Sequence, residues 1–200
     1  MKIRAAATAA LALSAVLILS GCGTGTGTGN DDEAMPGMDH GTSTPAADVN
    51  DADVMFATMM IVHHEQAIEM SDIVLAADGV EPAVTELAEE IKAAQGPEID
   101  QLESWLDEWG VSAEDRDATG MDHGDGMMSD DDLAALEAAD GTDASRLFLE
   151  QMIMHHEGAV EMAQVQVEDG SNPDALELAQ SIIDAQTGEI QVMNDLLATL

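Results

Sequence analysis

Apolar residues recur at helical spacing over four long stretches of the chain. Within each stretch the apolar positions lie three to four residues apart with polar positions between them, which predicts amphipathic α-helices with one buried stripe each. The predicted helices cover residues 51–77, 82–109, 143–169 and 173–199. The chain is therefore expected to be all-α.

Turn residues divide these stretches into two helical hairpins. Asp78-Gly79 and Asp169-Gly170 each end a predicted helix, and a proline begins the next helix shortly afterwards. Pro97 lies inside the second predicted helix and is expected to kink or break it, because proline has no N–H and clashes with the preceding turn.

Capping residues refine the helix starts. Asn50 or Asp51 can cap the first helix, and Thr142 or Asp143 can cap the third. Residues 129–139 predict a short extra helix before the second hairpin.

One helical phrase occurs twice, once in each hairpin. Met60 to Met70 reads MIVHHEQAIEM, and Met152 to Met162 reads MIMHHEGAVEM. The two histidine pairs are 92 positions apart (155 − 63 = 92). The similarity continues into the following helix, where Glu98-Ile99 corresponds to Glu189-Ile190 at an offset of 91 (189 − 98 = 91). Two sequence-similar α-hairpins predict a four-helix bundle, with hairpins at 50–110 and 143–200 and a connection at 111–142.

The N-terminal segment has the pattern of an export signal. Residues 1–21 contain a short basic region and an apolar run that is too short for a confident membrane span. This run ends in Leu19-Ser20-Gly21-Cys22, which resembles a bacterial lipobox, so Cys22 is expected to carry lipid. Residues 22–49 are rich in Gly, Thr and Asp and predict a flexible tether. The expected location is the outer face of the bacterial cell membrane.

Composition narrows the possible functions. The chain has 41 acidic and 5 basic residues, a formal net charge of −36, which argues against nucleic-acid binding through phosphates. Tyrosine is absent, and there are only 2 Trp and 2 Phe, so aliphatic residues and Met must fill the core. Cys22 is the only cysteine, which rules out an intrachain disulfide.

The histidine pairs are expected to face inward in two directions. Adjacent helical residues point about 100° apart, so one histidine of each pair can face its hairpin partner and the other the opposing hairpin. Each pair has a methionine three residues before it and another seven residues after its first histidine, on the same stripe. The candidate metal ligands are His63, His64, His155, His156, Met60, Met70, Met152 and Met162. Core packing is the alternative explanation, because Met fills gaps in cores and a buried His is often structural.

A second methionine and histidine motif lies in the polar connecting segments. The phrase GMDHG occurs at residues 37–41 and again at residues 120–124. Thioether sulfur suits Cu(I), and imidazole suits either oxidation state of copper. The candidate capture ligands of these segments are Met38, His40, Met121, His123, Met127 and Met128.

The duplicated phrase HHE-x-A-[IV]-EM, together with FLEQMIMHH from Phe148, resembles the secreted bacterial domain-of-unknown-function-305 family. The resemblance covers residues 48–200 and implies a ferritin-like four-helix bundle. It also implies that the histidine pairs His63-His64 and His155-His156 are the family's motif, and some members are implicated in copper binding. Many members have Pro just before the first histidine pair, where this chain has Val62.

The leading interpretation is a lipid-anchored extracytoplasmic protein that binds, buffers or delivers copper, with zinc as an alternative metal. A copper transporter or oxidase would be its partner. Two other classes compete with it. One is a surface-anchored structural or interaction module with core histidines. The other is a ferritin-like di-metal oxidase, which would need Glu-x-x-His motifs that the chain lacks. No catalytic triad or Cys-His pair is recognisable, so no catalytic residue is assigned.

Overall fold

A computed structural model describes residues 49–113, 116 and 126–200. This part of the chain consists of five helices and contains no strand. The helices are α1 (Asp51–Ala76), α2 (Pro82–Glu108), α3 (Asp130–Glu137), α4 (Gly141–Asp169) and α5 (Pro173–Leu197). The all-α expectation is confirmed, and the four long helices lie where the apolar spacing predicts them.

The four long helices form a bundle of two hairpins. Helix α1 packs along α2, α4 packs along α5, and the two hairpins meet mainly through α1 and α4. Two contacts define an antiparallel register between α1 and α4. Asp53 accepts a hydrogen bond from Gln166 at one end, and the rings of His63 and His155 touch near the middle. The histidine phrases of both hairpins therefore lie at the same level of the bundle.

The apolar core has two parts on either side of this level. One part gathers Met60, Phe56 and Ala159 with residues of α2 and α5, and the other gathers Met152 and Met70 with residues of all five helices. Alanine is fully buried at Ala67 and Ala159. Small side chains at these positions allow α1 and α4 to approach closely. The larger imidazoles lie at the level between the two parts of the core.

A buried carboxylate fastens the start of α1 to the turn between α4 and α5. Asp53 is fully buried and accepts hydrogen bonds from Gln166 Nε2 (2.6 Å) and from the backbone N–H groups of Ser171 and Asn172 (3.1 Å each). It also accepts from the backbone of Asn50, which caps α1 as expected. The corresponding position in α4 is Ser145, whose hydroxyl accepts from the N–H of Glu81 (3.0 Å) in the turn between α1 and α2.

Two helices, α2 and α4, differ from the expectation. Helix α2 continues through Pro97, so the expected break does not occur. Buried Ile91 and Leu102 hold the helix against α1 on both sides of the proline, and tertiary packing outweighs one missing hydrogen bond. Helix α4 begins at Gly141, earlier than expected, and its N-cap is Asp140, whose side chain makes no capping bond.

The short helix α3 covers one side of the bundle. Ser129 caps it through a reciprocal capping box with Asp132. Its Leu136 is fully buried against α1 and α4, and Gln151 of α4 donates to the backbone oxygen of Asp132 (2.9 Å). None of the helices in the described ranges is long and apolar enough to span a membrane.

We expect Asp53→Asn to lower the free energy of unfolding by about 1–3 kcal/mol at pH 7, because the amide cannot accept all the hydrogen bonds of the carboxylate. Burial raises the pKa of Asp53, but hydrogen bonds from Asn50, Gln166, Asn172 and Ser171 outweigh it, so the folded pKa lies below the usual value. A lowered carboxylate pKa stabilises the fold at pH values above the unfolded pKa, and this stability is lost as the pH falls through the folded pKa.

Urea unfolding of both proteins between pH 7 and pH 2 tests this, and the difference between them should shrink below about pH 4. Asp100→Asn, which changes an exposed carboxylate of α2, is the control and should stay within about 0.5 kcal/mol of the parent protein. Equal stability of Asp53→Asn and the parent protein at pH 7 would show that the buried carboxylate does not hold the hairpins together.

Candidate metal centre

His63 and His155 meet at the contact between the two hairpins. Their ring centroids are 3.7 Å apart, and the ring planes are tilted by 40°. Both side chains are buried, with relative exposures of 1% and 0%. Each imidazole thus faces the opposing hairpin, as the helical geometry predicts for one histidine of each pair.

His64 and His156 point toward their own hairpin partners. His64 Nε2 lies 2.7 Å from Glu98 Oε2 on α2, and His156 Nε2 lies 2.6 Å from Glu189 Oε2 on α5. Because a carboxylate only accepts hydrogen bonds, Nε2 of each imidazole carries the proton and donates it. In the tautomer that donates from Nε2, the Nδ1 atom keeps its lone pair available for a ligand or metal.

Most of the ring nitrogens at this centre have no hydrogen-bond partner. Within the described part of the chain, six buried imidazole nitrogens are unpartnered: Nδ1 and Nε2 of His63 and His155, and Nδ1 of His64 and His156. Leaving a buried polar atom unsatisfied costs about 1–3 kcal/mol. Native proteins rarely carry such a cluster without a role for it, because an apolar side chain of similar size would fill the space without that cost.

The electrostatic surroundings keep the central imidazoles neutral. Burial lowers the pKa of His63 to about 3, and repulsion from His64 and His156 adds to the effect. Burial also lowers the pKa of His155 well below its usual range, together with repulsion from the neighbouring imidazoles. Neutral imidazole is the form that coordinates metal ions, so each central ring has one nitrogen lone pair available for coordination at neutral pH.

The four methionines of the duplicated phrases lie at two different distances from the histidine pairs. Met60 and Met152 are fully buried, one turn before the histidine pairs. Met70 and Met162 lie seven residues after His63 and His155, which is about 10 Å along the helix axis. Met70 is fully buried in the core, whereas Met162 is partly exposed beside Met55 and Met59. Along their own helices, Met60 and Met152 therefore lie within one turn of the histidine pairs, whereas Met70 and Met162 lie about two turns away.

Preformed high-coordination metal sites are absent from the described residues. No group of three or more His, Cys, Asp or Glu side chains converges there as it would around one metal ion. Zinc and paired iron ions rely on such groups.

The candidate ligands of the connecting segments are only partly described. Met38, His40, Met121 and His123 lie outside the described residues, as does Cys22. Met127 is partly buried, and Met128 is 8% exposed and packs into the core near Leu136. Gln66 holds the backbone of Met128 through two hydrogen bonds, 2.7 and 2.9 Å long. Packing thus accounts for Met128, contrary to the expectation of an exposed methionine.

Glu98 and Glu189 are the residues of this centre that the sequence reasoning did not assign. Both are partly buried, and each binds the second histidine of its hairpin. Their correspondence at an offset of 91 was visible in the sequence, and a carboxylate repeated with the histidines was the available signal. Only the packing of α2 on α1, and of α5 on α4, places these glutamates beside the imidazoles.

The fold and this centre define an all-helical bundle protein with buried paired histidines. The chain belongs to the family described as Domain of unknown function (DUF305), which it matches over residues 53–197. A comparison with the curated proteins gave no significant match.

Solved structures of the same fold come from several proteins. A DUF305 protein from Streptomyces coelicolor, described as secreted, is 36% identical with a TM-score of 0.67, covering 74% of this chain and 93% of its own. A DUF305 fragment from Deinococcus radiodurans is 32% identical with a TM-score of 0.65, covering 76% of this chain and 99% of its own. CopM in the Cu(I)-bound form is 30% identical with a TM-score of 0.60, covering 74% of this chain and 96% of its own.

The double variant His63→Leu/His155→Leu should be at least as stable as the parent protein at pH 7.5 without metal. Leucine removes four unpartnered nitrogens from the core at a similar volume. The parent protein should lose stability as the pH falls from about 6.5. The histidines of the unfolded chain are protonated in this range, whereas the lowered pKa values of His63 and His155 keep them neutral in the folded protein. The slope is at most roughly 1.4 kcal/mol per pH unit for each histidine, and the variant should lack it.

Thermal and urea unfolding of both metal-free proteins between pH 8 and pH 4 tests this expectation. A loss of more than about 2 kcal/mol in the variant at pH 7.5 would mean that the imidazoles support the fold by packing. That result would favour the structural module over the metal-binding protein.

Proposed function

We propose that this protein binds copper outside the cytoplasm and buffers it or delivers it to another protein. The observation that carries the proposal is the cluster of four buried imidazoles at the level where the hairpins meet, with six ring nitrogens free of hydrogen bonds to the described residues. A buried site of this kind holds an ion away from water, which suits storage or transfer of a reactive metal.

The available donors match copper in their chemical identity. Imidazole nitrogen binds Cu(I) and Cu(II), and thioether sulfur favours Cu(I). Met60 and Met152 supply buried thioethers one turn from the histidine pairs. Glu98 and Glu189 orient His64 and His156 and increase the basicity of the free nitrogens, as carboxylates do beside metal-bound histidines.

Similarity to a copper protein supports the same conclusion. CopM has been solved in Cu(I)-bound, Cu(II)-bound and Ag-bound forms, and these structures are 30–31% identical to this chain. Silver is a chemical analogue of Cu(I), so a related bundle accepts soft monovalent ions as well as Cu(II). We extend this copper chemistry to the present protein on the basis of its own unpartnered imidazoles.

The proposed location is the outer face of the cell membrane. The similar Streptomyces coelicolor protein is described as secreted, which supports export of this chain as well. Lipidation at Cys22 would then tether the bundle, and a membrane copper transporter or an oxidase would receive its ion. The acidic surface, with 41 Asp and Glu against 5 Lys and Arg, would raise the local cation concentration around the bundle.

Anaerobic titration with Cu(I) against a competing chromophoric chelator should reveal tight, stoichiometric binding by the protein. His63→Leu/His155→Leu should lose this binding, because it removes the two imidazoles with both nitrogens free. Circular dichroism of the variant confirms that its helices remain. Equal affinity of both proteins would contradict the proposed centre and would move any copper binding to the connecting segments.

The double variant Glu98→Gln/Glu189→Gln should bind Cu(I) about 10- to 100-fold more weakly, because the loss of a carboxylate beside a coordinating histidine typically has an effect of this size. Glu89→Gln on the exposed face of α2 is the control and should leave the affinity unchanged. The same chelator competition measures all three proteins. An unchanged affinity in the double variant would indicate that His64 and His156 do not bind the ion.

A further inference from the structure

An open groove between α1 and α4 contains three methionines that the buried centre does not use. It encloses about 420 Å³ and is lined by Met55, Met59 and Met162 together with Phe56 and Val165. Met55 is 59% exposed, whereas Met59 is 8% exposed at the bottom of the groove. Thioether groups thus extend from the protein surface toward the interior.

The helical register places these three thioethers at the same point along the bundle. Met55 and Met59 are four residues apart and therefore neighbours on one face of α1. The antiparallel register set by Asp53 with Gln166, and by His63 with His155, puts Met162 opposite the turn between Met55 and Met59. Three sulfur-bearing side chains from two helices consequently surround one opening.

The corresponding positions on the other side of the bundle carry residues other than methionine. The positions corresponding to Met55 and Met59 are Leu147 and Gln151, at an offset of 92 (147 − 55 = 92). There α3 covers the surface, and Gln151 bonds the backbone oxygen of Asp132. On the open side no described helix lies over the groove, yet the chain places methionine at both positions. A covered position explains an apolar residue by burial, but the exposed Met55 has no such explanation.

We propose that Met55, Met59 and Met162 form a second site, which binds monovalent copper or silver through thioether sulfur. Soft thioether ligands select Cu(I) over the hard cations that exposed carboxylates attract. Asp51 and Asp169 line the same groove and add negative charge around it. Met59 lies four residues before His63, about 6 Å along the helix axis, so an ion held here is one turn from the buried centre. This assignment extends the proposed copper function and rests on it for the identity of the ion.

Nuclear magnetic resonance of isotope-labelled methionine methyl groups, with Ag(I) added as the probe, tests the site directly. The experiment uses the full chain and its His63→Leu/His155→Leu variant, so that the groove is observed with and without the central imidazoles. We expect the methyl signals of Met55, Met59 and Met162 to shift together in both proteins, while that of buried Met193 on α5 stays in place.

The triple variant Met55→Leu/Met59→Leu/Met162→Leu should bind fewer equivalents of Ag(I) than the parent protein. Met154→Leu removes another exposed methionine of α4 that lies outside the groove, and the three groove signals should still shift in it.

The failure of this site can be distinguished from the failure of the proposed function. If Met60 and Met152 shift with Ag(I) in the parent protein but the three groove signals do not, the groove site is overturned and the buried centre stands. If no methionine signal shifts and no Ag(I) binds, both proposals are wrong. A groove that instead accepts a peptide would leave these signals unmoved by Ag(I), which also overturns the assignment.

Discussion

The structure depends on the contact between α1 and α4, where the tilted rings of His63 and His155 meet at a centroid distance of 3.7 Å. Neighbouring residues on a helix point about 100° apart, so a histidine pair cannot present both rings to one partner. The bundle meets this constraint by placing a neighbour on each side. The first imidazole of each pair contacts the opposing hairpin, and the second imidazole contacts the second helix of its own hairpin.

At the centre, the burial of unpartnered imidazole nitrogens is unfavourable for stability, but it leaves these nitrogens available to a ligand. Neutral imidazoles with unpartnered nitrogens weaken a core, since each lost hydrogen bond has a free-energy cost. The remainder of the bundle offsets this cost by other means. Asp53 fastens one end of the α1–α4 contact, Ser145 fastens the other, and the apolar clusters on both sides exclude water. Stability is thus supplied away from the centre, which leaves the imidazoles free for a ligand.

The two sides of the α1–α4 contact differ, although residues of the two helices correspond in sequence. On one side α3 buries Leu136 over the bundle, and Gln151 anchors it through Asp132. On the other side no helix of the described ranges lies over the groove that Met55 and Met59 line. Among the described residues, the two sides of the histidine centre therefore differ in what covers them.

The sequence by itself determined the four long helices, the two hairpins and the opposite directions of the paired histidines, because these follow from local spacing and helical periodicity. It also supplied Glu98 and Glu189 as a repeated pair, but local spacing cannot say that a residue more than thirty positions away meets His64 or His156. The tertiary structure decided those contacts, the continuity of α2 through Pro97 and the burial of Met128. Each of these depends on how one helix packs against another, and the register of that packing is set by contacts between distant parts of the chain.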